Sequence, residues 1–247
     1  MQTKARTQHN GVNLRPFAQQ FVNRDATGKS AGSTIQDPTA LAGPLIGLTF
    51  LASFITAMAR ATAPYPRPDA TPAQIQRYFQ GEASSARISA AGQLLSSVAV
   101  LAFTTTVLKL VEESAEDARG LETVTIAGGG LATAGLATSA LCAVALIGEA
   151  GEDPEQATSL SRWAFLGGGL VHGVGFGLLV GALGWAGLRT GKLHRRLAQA
   201  ALASGAAGML TPLYLLAEPA GWIIPVGRFS GLLISGIAGV QLARRPH

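Results

Sequence analysis

The sequence predicts an all-α polytopic membrane protein, a bundle of six transmembrane helices packed at glycines and other small residues. Three observations carry that prediction. Of 247 residues, 48% are hydrophobic and only 13% are charged, whereas soluble domains carry about 25% charged residues. The charges gather in the N-terminal stretch and in short clusters, leaving apolar runs that reach the roughly 20 residues a helix needs to cross a hydrocarbon core of about 30 Å. Finally, many of the 31 glycines lie inside those runs, most densely in "GGGLVHGVGFGLLVG", residues 167–181. A net charge of +5 and a pI near 9.9 are compatible with nucleic-acid binding. No basic patch interleaved with aromatics accompanies them, so no nucleic-acid partner is expected.

Residues 1–42 read as a basic cytoplasmic tail, expected to be largely disordered. Within it "LRPFAQQFV" places Leu14, Phe17, Ala18, Phe21 and Val22 at helical spacing. That stretch is either a short amphipathic helix, lying on the membrane or docking on a cytoplasmic partner, or part of the disordered tail. Span one covers 43–61. Its end, "ARATA", has the small-residue pattern of a signal cleavage site, but the preceding polar stretch is too long for a signal peptide, so the span reads as an anchor. The connection that follows contains "PYPRPDATPAQIQRYFQ". Thr71 as N-cap, Pro72 at the first helical position and Gly81 at the end frame a short helix with Ile75, Tyr78 and Phe79 on one face.

Spans two to six cover 88–110, 123–148, 163–188, 196–217 and 220–243, and residues 244–247 form a second cytoplasmic end. Spans three and five, rich in Ala and Gly, are the weaker hydropathy signals. An even number of crossings puts both termini on one side. That side collects Lys109 and Arg119, then Arg189, Lys192, Arg195 and Arg196, then Arg244 and Arg245, besides the basic tail. The other side holds Arg60, Arg67, Arg77, Arg87 and Arg162. The positive-inside rule makes the richer side cytoplasmic, in a cell (inner or plasma) membrane. Trp163, Trp222, Tyr65 and Tyr214 then mark the outer interface and Trp185 the inner one. The acidic runs at 112–117 and 149–155 are solvated loops.

Glycine weakens a soluble helix, but in lipid it lets two helix backbones approach closely. Gly169, Gly173, Gly177 and Gly181 recur every four residues in span four. Gly227, Gly231, Ser235 and Gly239 repeat the device in span six. Shorter stripes are Gly130, Ala134, Thr138 and Cys142 in span three, and Ser204 and Gly208 in span five. Such stripes seat a helix of the same chain or form a seam between copies in a homo-oligomer; spacing does not choose between the two. Cys142, the one cysteine, has no disulfide partner in the chain and reads as a buried thiol.

Ionisable residues inside a span are candidates for function, and two qualify. His172 sits near the midplane of span four, where a neutral imidazole either bonds a neighbouring carbonyl or hydroxyl or lines a site. Arg228, in the outer part of span six, either snorkels to the headgroups or Glu218, or binds an anionic group in a polar cavity. Pro212 and Pro225 each remove a helix hydrogen bond and are expected to kink spans five and six. Thr211, Tyr214, Arg228 and His172 then form a candidate outward-facing ligand site. No carboxylate lies mid-span, and no P-loop, GxSxG or HExxH occurs, so no catalytic residue, metal or cofactor is assigned.

The order of a first span, an outer "PDATPAQIQRYFQ" segment and five Gly/Ala-rich spans resembles small actinobacterial multi-pass membrane proteins of unassigned activity. The resemblance covers about 43–243 and implies a six-helix inner-membrane protein, with no catalytic residue to carry over. Two functions follow as expectations. The first is an interaction or scaffold protein built by its glycine stripes, possessing no enzymatic chemistry. The alternative is an uncoupled transporter or receptor for a small or lipid-like anion in the outer half of spans four to six.

Overall fold

A computed structural model describes residues 37–114, 118–217 and 221–244. The basic tail and its amphipathic stretch at 14–22 lie outside the described residues. The described residues contain no strand. A 3₁₀ turn, Pro38–Leu41, leads into α1, Ala42–Arg60. A short helix α2, Pro72–Gly81, precedes the long α3, Ala83–Glu112, and α4, Arg119–Ile147. Next come α5, Pro154–Phe165, a π-helical segment, Leu166–Val171, and α6, His172–Thr190. The chain ends with α7, Arg195–Met209, a 3₁₀ turn, Thr211–Leu215, and α8, Ile223–Ala243.

Among the described residues, five stretches are long and apolar enough to cross a membrane: Pro38–Arg60, Ala83–Glu112, Arg119–Ile147, Pro154–Thr190 and Ile223–Ala243. Their outward faces carry large apolar side chains, among them Leu48, Leu95, Val98, Leu141 and Leu233, each at least 60% exposed. Such a surface suits lipid rather than water. The sixth expected span, 196–217, is not among the five. α7 has only 15 residues, and Pro212 is the physical reason it stops. Proline has no amide to give the Gly208 carbonyl. The Thr211 hydroxyl donates to that carbonyl instead, at 2.9 Å, and the chain continues as a 3₁₀ turn. Pro225 behaves differently. It falls in the first turn of α8, where the amide would have no intrahelical partner, so the helix starts there without a kink.

Local signals account for several ends. Thr71 caps α2 in a capping box, its backbone N–H donating to Gln74 Oε1 at 2.9 Å while the Gln74 N–H returns to the Thr71 hydroxyl. Ile75, Tyr78 and Phe79 turn inward from α2 onto Ala86, Ala140, Ala143, Leu146 and Ala157. Asp153 caps α5 by accepting from the Gln156 N–H at 2.8 Å. Gly191, at φ 66°, ends α6 in the left-handed conformation that glycine adopts without strain.

The six longer units α1, α3, α4, α6, α7 and α8 alternate in direction, and the sequence closes into a ring where α8 meets α1. Thr39 meets Thr106 and Lys192 pairs with Glu113 at 2.6 Å at one end of the bundle. Both ends of the described chain therefore lie at that end, which we call the basic end. The interior joins Ile46 of α1, Val100, Phe103 and Val107 of α3, Leu136 of α4, and Phe176, Leu179 and Leu183 of α6.

Candidate functional site

His172 and Arg228, the two ionisable residues taken from the spans as candidates, have different surroundings. His172, the first residue of α6, follows the π-helical Gly-rich segment directly. Its ring is 2% exposed. Nδ1 lies 2.9 Å from the Ala132 carbonyl of α4. This geometry makes Nδ1–H the donor, because a carbonyl can only accept. The ring stacks on Phe176 at 5.4 Å, one turn along the same helix. His172 is thus enclosed between α4 and α6 and serves to join them.

Arg228 lies in the second turn of α8. Its guanidinium carbon sits 5.2 Å from the centre of the Phe50 ring of α1, in cation–π range. Nε and Nη2 are buried and have no hydrogen-bond partner among the described residues. Leaving a buried donor unmade costs about 1–3 kcal/mol, and more for a charged group. Arg228 lines a cavity of about 570 Å³ at the end of the bundle opposite the basic end. Its volume is in the range of about 300–1,000 Å³ usual for ligand pockets.

Six parts of the chain line that cavity, α2 among them through Tyr78. α1 contributes Phe50, Phe54 and Met58, and the loop after it the run from Ala61 to Pro68. α3 adds Ser89 and Gln93, and α4 adds Ser139. The α5–π junction gives Ser161, Phe165, Gly168 and Gly169, and α8 gives Ile224 and Arg228. Two arginines, Arg67 and Arg228, line it, and among the described residues no carboxylate does. The cavity is electropositive, mostly apolar, and furnished with hydroxyls and one amide. The Gln93 Oε1 is itself buried without a partner.

Glu82 closes the top. Its carboxylate accepts from the Thr62 N–H at 2.8 Å, from the Ala63 N–H at 3.1 Å, and from the Thr62 hydroxyl. The Thr62 hydroxyl and backbone bonds hold the Glu82 carboxyl below its ordinary titration range. They also fasten the loop, with Tyr65, edge-on to Tyr78 at 5.2 Å, across the end of the bundle.

The residues expected to share one site are separated. Arg228 lines the cavity and His172 does not. Thr211 is buried with its hydroxyl on Gly208. Tyr214 sits one ring behind the cavity wall, edge-on to Phe165 at 5.4 Å. Gln93 and Ser139 were missed by a search confined to charge, although Gln93 is conspicuous as the only amide in the run "ISAAGQLLSSVAV".

The stripe glycines also divide. A Cβ on Gly173 would lie 2.9 Å from the Thr211 hydroxyl, and one on Gly177 would lie 2.7 Å from the Gly205 carbonyl of α7. At Gly227 the nearest atom would be the Gly208 amide at 2.9 Å, and at Gly231 the Phe176 ring at 2.8 Å. Gly239 faces the Ala40 carbonyl and Pro44. Gly169 meets only Phe165 of the preceding turn, at 3.5 Å, while Gly181 and Gly130 have nothing within 4 Å of a Cβ. Closest to α4 are glycines outside the stripe. A Cβ on Gly128 would be 2.9 Å from the Gly175 carbonyl, and one on Gly135 would be 2.6 Å from that of Gly167.

No protein-family model, curated protein or solved structure matches this chain.

Proposed function

We propose that this protein is a membrane receptor or uncoupled transporter for an anionic ligand, held by Arg228 in the cavity between α1, α3, α5 and α8. The observation that carries this reading is Arg228 itself, which lines the cavity and carries two buried guanidinium donors with no partner among the described residues. A carboxylate or phosphate accepts two such N–H groups at once and offsets the burial of the charge. His172, enclosed between α4 and α6, belongs to the scaffold of this site.

The finer topology is part of the proposal. α7 and its 3₁₀ turn together act as a sixth crossing. Fifteen helical residues reach about 22 Å, five 3₁₀ residues add about 10 Å, and the hydrocarbon core is about 30 Å. The alternating direction of the six units supports this. With Lys109, Arg119, Arg189, Lys192, Arg195 and Arg196 at the basic end, that end is cytoplasmic and the cavity lies in the outer half of a cell membrane. The close approaches at Gly173, Gly177, Gly227 and Gly231 support a role for the glycines in seating helices of the same chain.

The test is native mass spectrometry of the protein released from nanodiscs. Wild type is expected to retain an acidic ligand that Arg228→Gln loses. Equal spectra from two equally folded proteins would overturn the reading. They would favour a scaffold whose glycine contacts serve assembly alone.

A further inference from the structure

The anion-binding cavity is lined above by the loop 61–68 and at its side by partly exposed residues of α1. Above, Glu82 ties the loop 61–68 across the end of the bundle. At the side, α5 packs on α2 and α4 and makes no substantial contact with α1 or α8. The cavity is bordered on this side by Phe165 on one flank and by Met58 and Ile224 on the other. Its apolar wall continues without a break onto the outward face of α1, where Phe54 is 39% and Met58 63% exposed. A molecule already in the bilayer meets this apolar flank directly.

The polar groups inside narrow the head group as well. Arg228 comes from α8 and Gln93 from α3, with α1 between them, and both present buried polar atoms that lack partners. The Gln93 amide makes one long bond, Nε2 to the Ser89 hydroxyl at 3.4 Å. A head group bridging the two accepts from the guanidinium and hydrogen-bonds the amide.

Resting on the anion reading of Arg228, we infer that the occupant is an anionic amphiphile of the bilayer. It enters sideways between α5 and the α1–α8 pair. Its acidic head sits between Arg228 and Gln93, and its chain lies along Phe54 and Met58 into lipid. The complementarity is of two kinds, an uncompensated cation within and an apolar exit to the membrane surface.

The experiment places the full chain in phosphatidylcholine nanodiscs containing spin-labelled stearic acid, and reads the motionally restricted fraction by electron paramagnetic resonance. Sodium butyrate, with the same head and almost no chain, is the water-soluble comparison. The wild type is expected to restrict the stearate, and butyrate is expected not to displace it, since each methylene of a buried chain contributes about fourfold in affinity. Arg228→Gln and, separately, Gln93→Leu should each weaken restriction by roughly tenfold or more, and Ser161→Trp should slow its onset by narrowing the flank. If Arg228→Gln does not fold, Gln93→Leu and Ser161→Trp carry the test. Butyrate binding that depends on Arg228, with stearate unrestricted, would overturn the amphiphile and leave the anion site standing. Stearate restricted equally by wild type and all variants would mark ordinary boundary lipid and overturn the inference. Neither anion responding to Arg228 would overturn the anion reading as well.

Discussion

Gly177 and Gly181 occupy equivalent places in the span-four stripe, and alanine should affect them oppositely. A Cβ at Gly177 would stand 2.7 Å from the Gly205 carbonyl oxygen, 2.8 Å from the Met209 amide and 2.9 Å from the Gly208 carbonyl carbon. All three are backbone atoms of α7, so no side chain can swing aside. Ordinary contact begins near 3.4 Å, which requires α7 to retreat by about 0.7 Å. Overpacking of this kind costs about 1–3 kcal/mol, offset in part by alanine's helix propensity of about 1 kcal/mol over glycine. A Cβ at Gly181 meets nothing within 4 Å. Gly181→Ala is therefore expected to be neutral or to stabilise by up to about 1 kcal/mol. Gly177→Ala should destabilise by about 1–2 kcal/mol. The assay is SDS-driven unfolding of detergent-solubilised protein, followed by tryptophan fluorescence. Gly181→Ala proving the more damaging of the two would refute the reasoning. It would mean that Gly181 is covered by something other than α7, such as a second copy.

Three further outcomes are expected. Glu82→Gln should lower thermal stability at neutral pH. Because the folded carboxyl titrates below its unfolded value of about 4.3, the wild-type advantage is complete above that value. It disappears as pH falls through the folded one, and melting curves from pH 3 to 7 showing a constant difference would contradict this. Thr71→Ala removes the hydroxyl that caps α2 and should cost about 1 kcal/mol, with amide exchange rising at Gln74 and Ile75; unchanged exchange there would refute the cap. Thr211→Val leaves the buried Gly208 carbonyl without the hydroxyl that satisfies it. It should destabilise by about 1–3 kcal/mol in the same SDS assay, while Thr211→Ser should retain most of the stability.

Much of the architecture was legible in the chain because membrane insertion is read from quantities local in sequence. Length and hydropathy located the apolar stretches. Thr71, Pro72 and Gly81 announced α2, since a cap bonds amides only two or three residues away. Pro212 predicts a kink within span five, and its consequence differs. The Thr211 hydroxyl takes the Gly208 carbonyl, and the helix ends in a 3₁₀ turn instead of bending. The same reasoning failed at Pro225 because a proline in a first turn removes nothing.

The sequence alone determined that this is an apolar, helix-rich chain, the approximate place of five of its long helices, and that His172 and Arg228 lie well inside such helices. Tertiary structure decided what those residues face. A helical spacing of four gives the angle at which a side chain leaves its own helix, but not which neighbour lies there. His172 accordingly meets the Ala132 carbonyl, forty residues away, and Arg228 lines a cavity whose walls come from six separate stretches. The glycines obey the same rule. Gly177 and Gly181 share a stripe, but only the backbone of α7, set by the crossing of two helices, makes the one indispensable and leaves the other free.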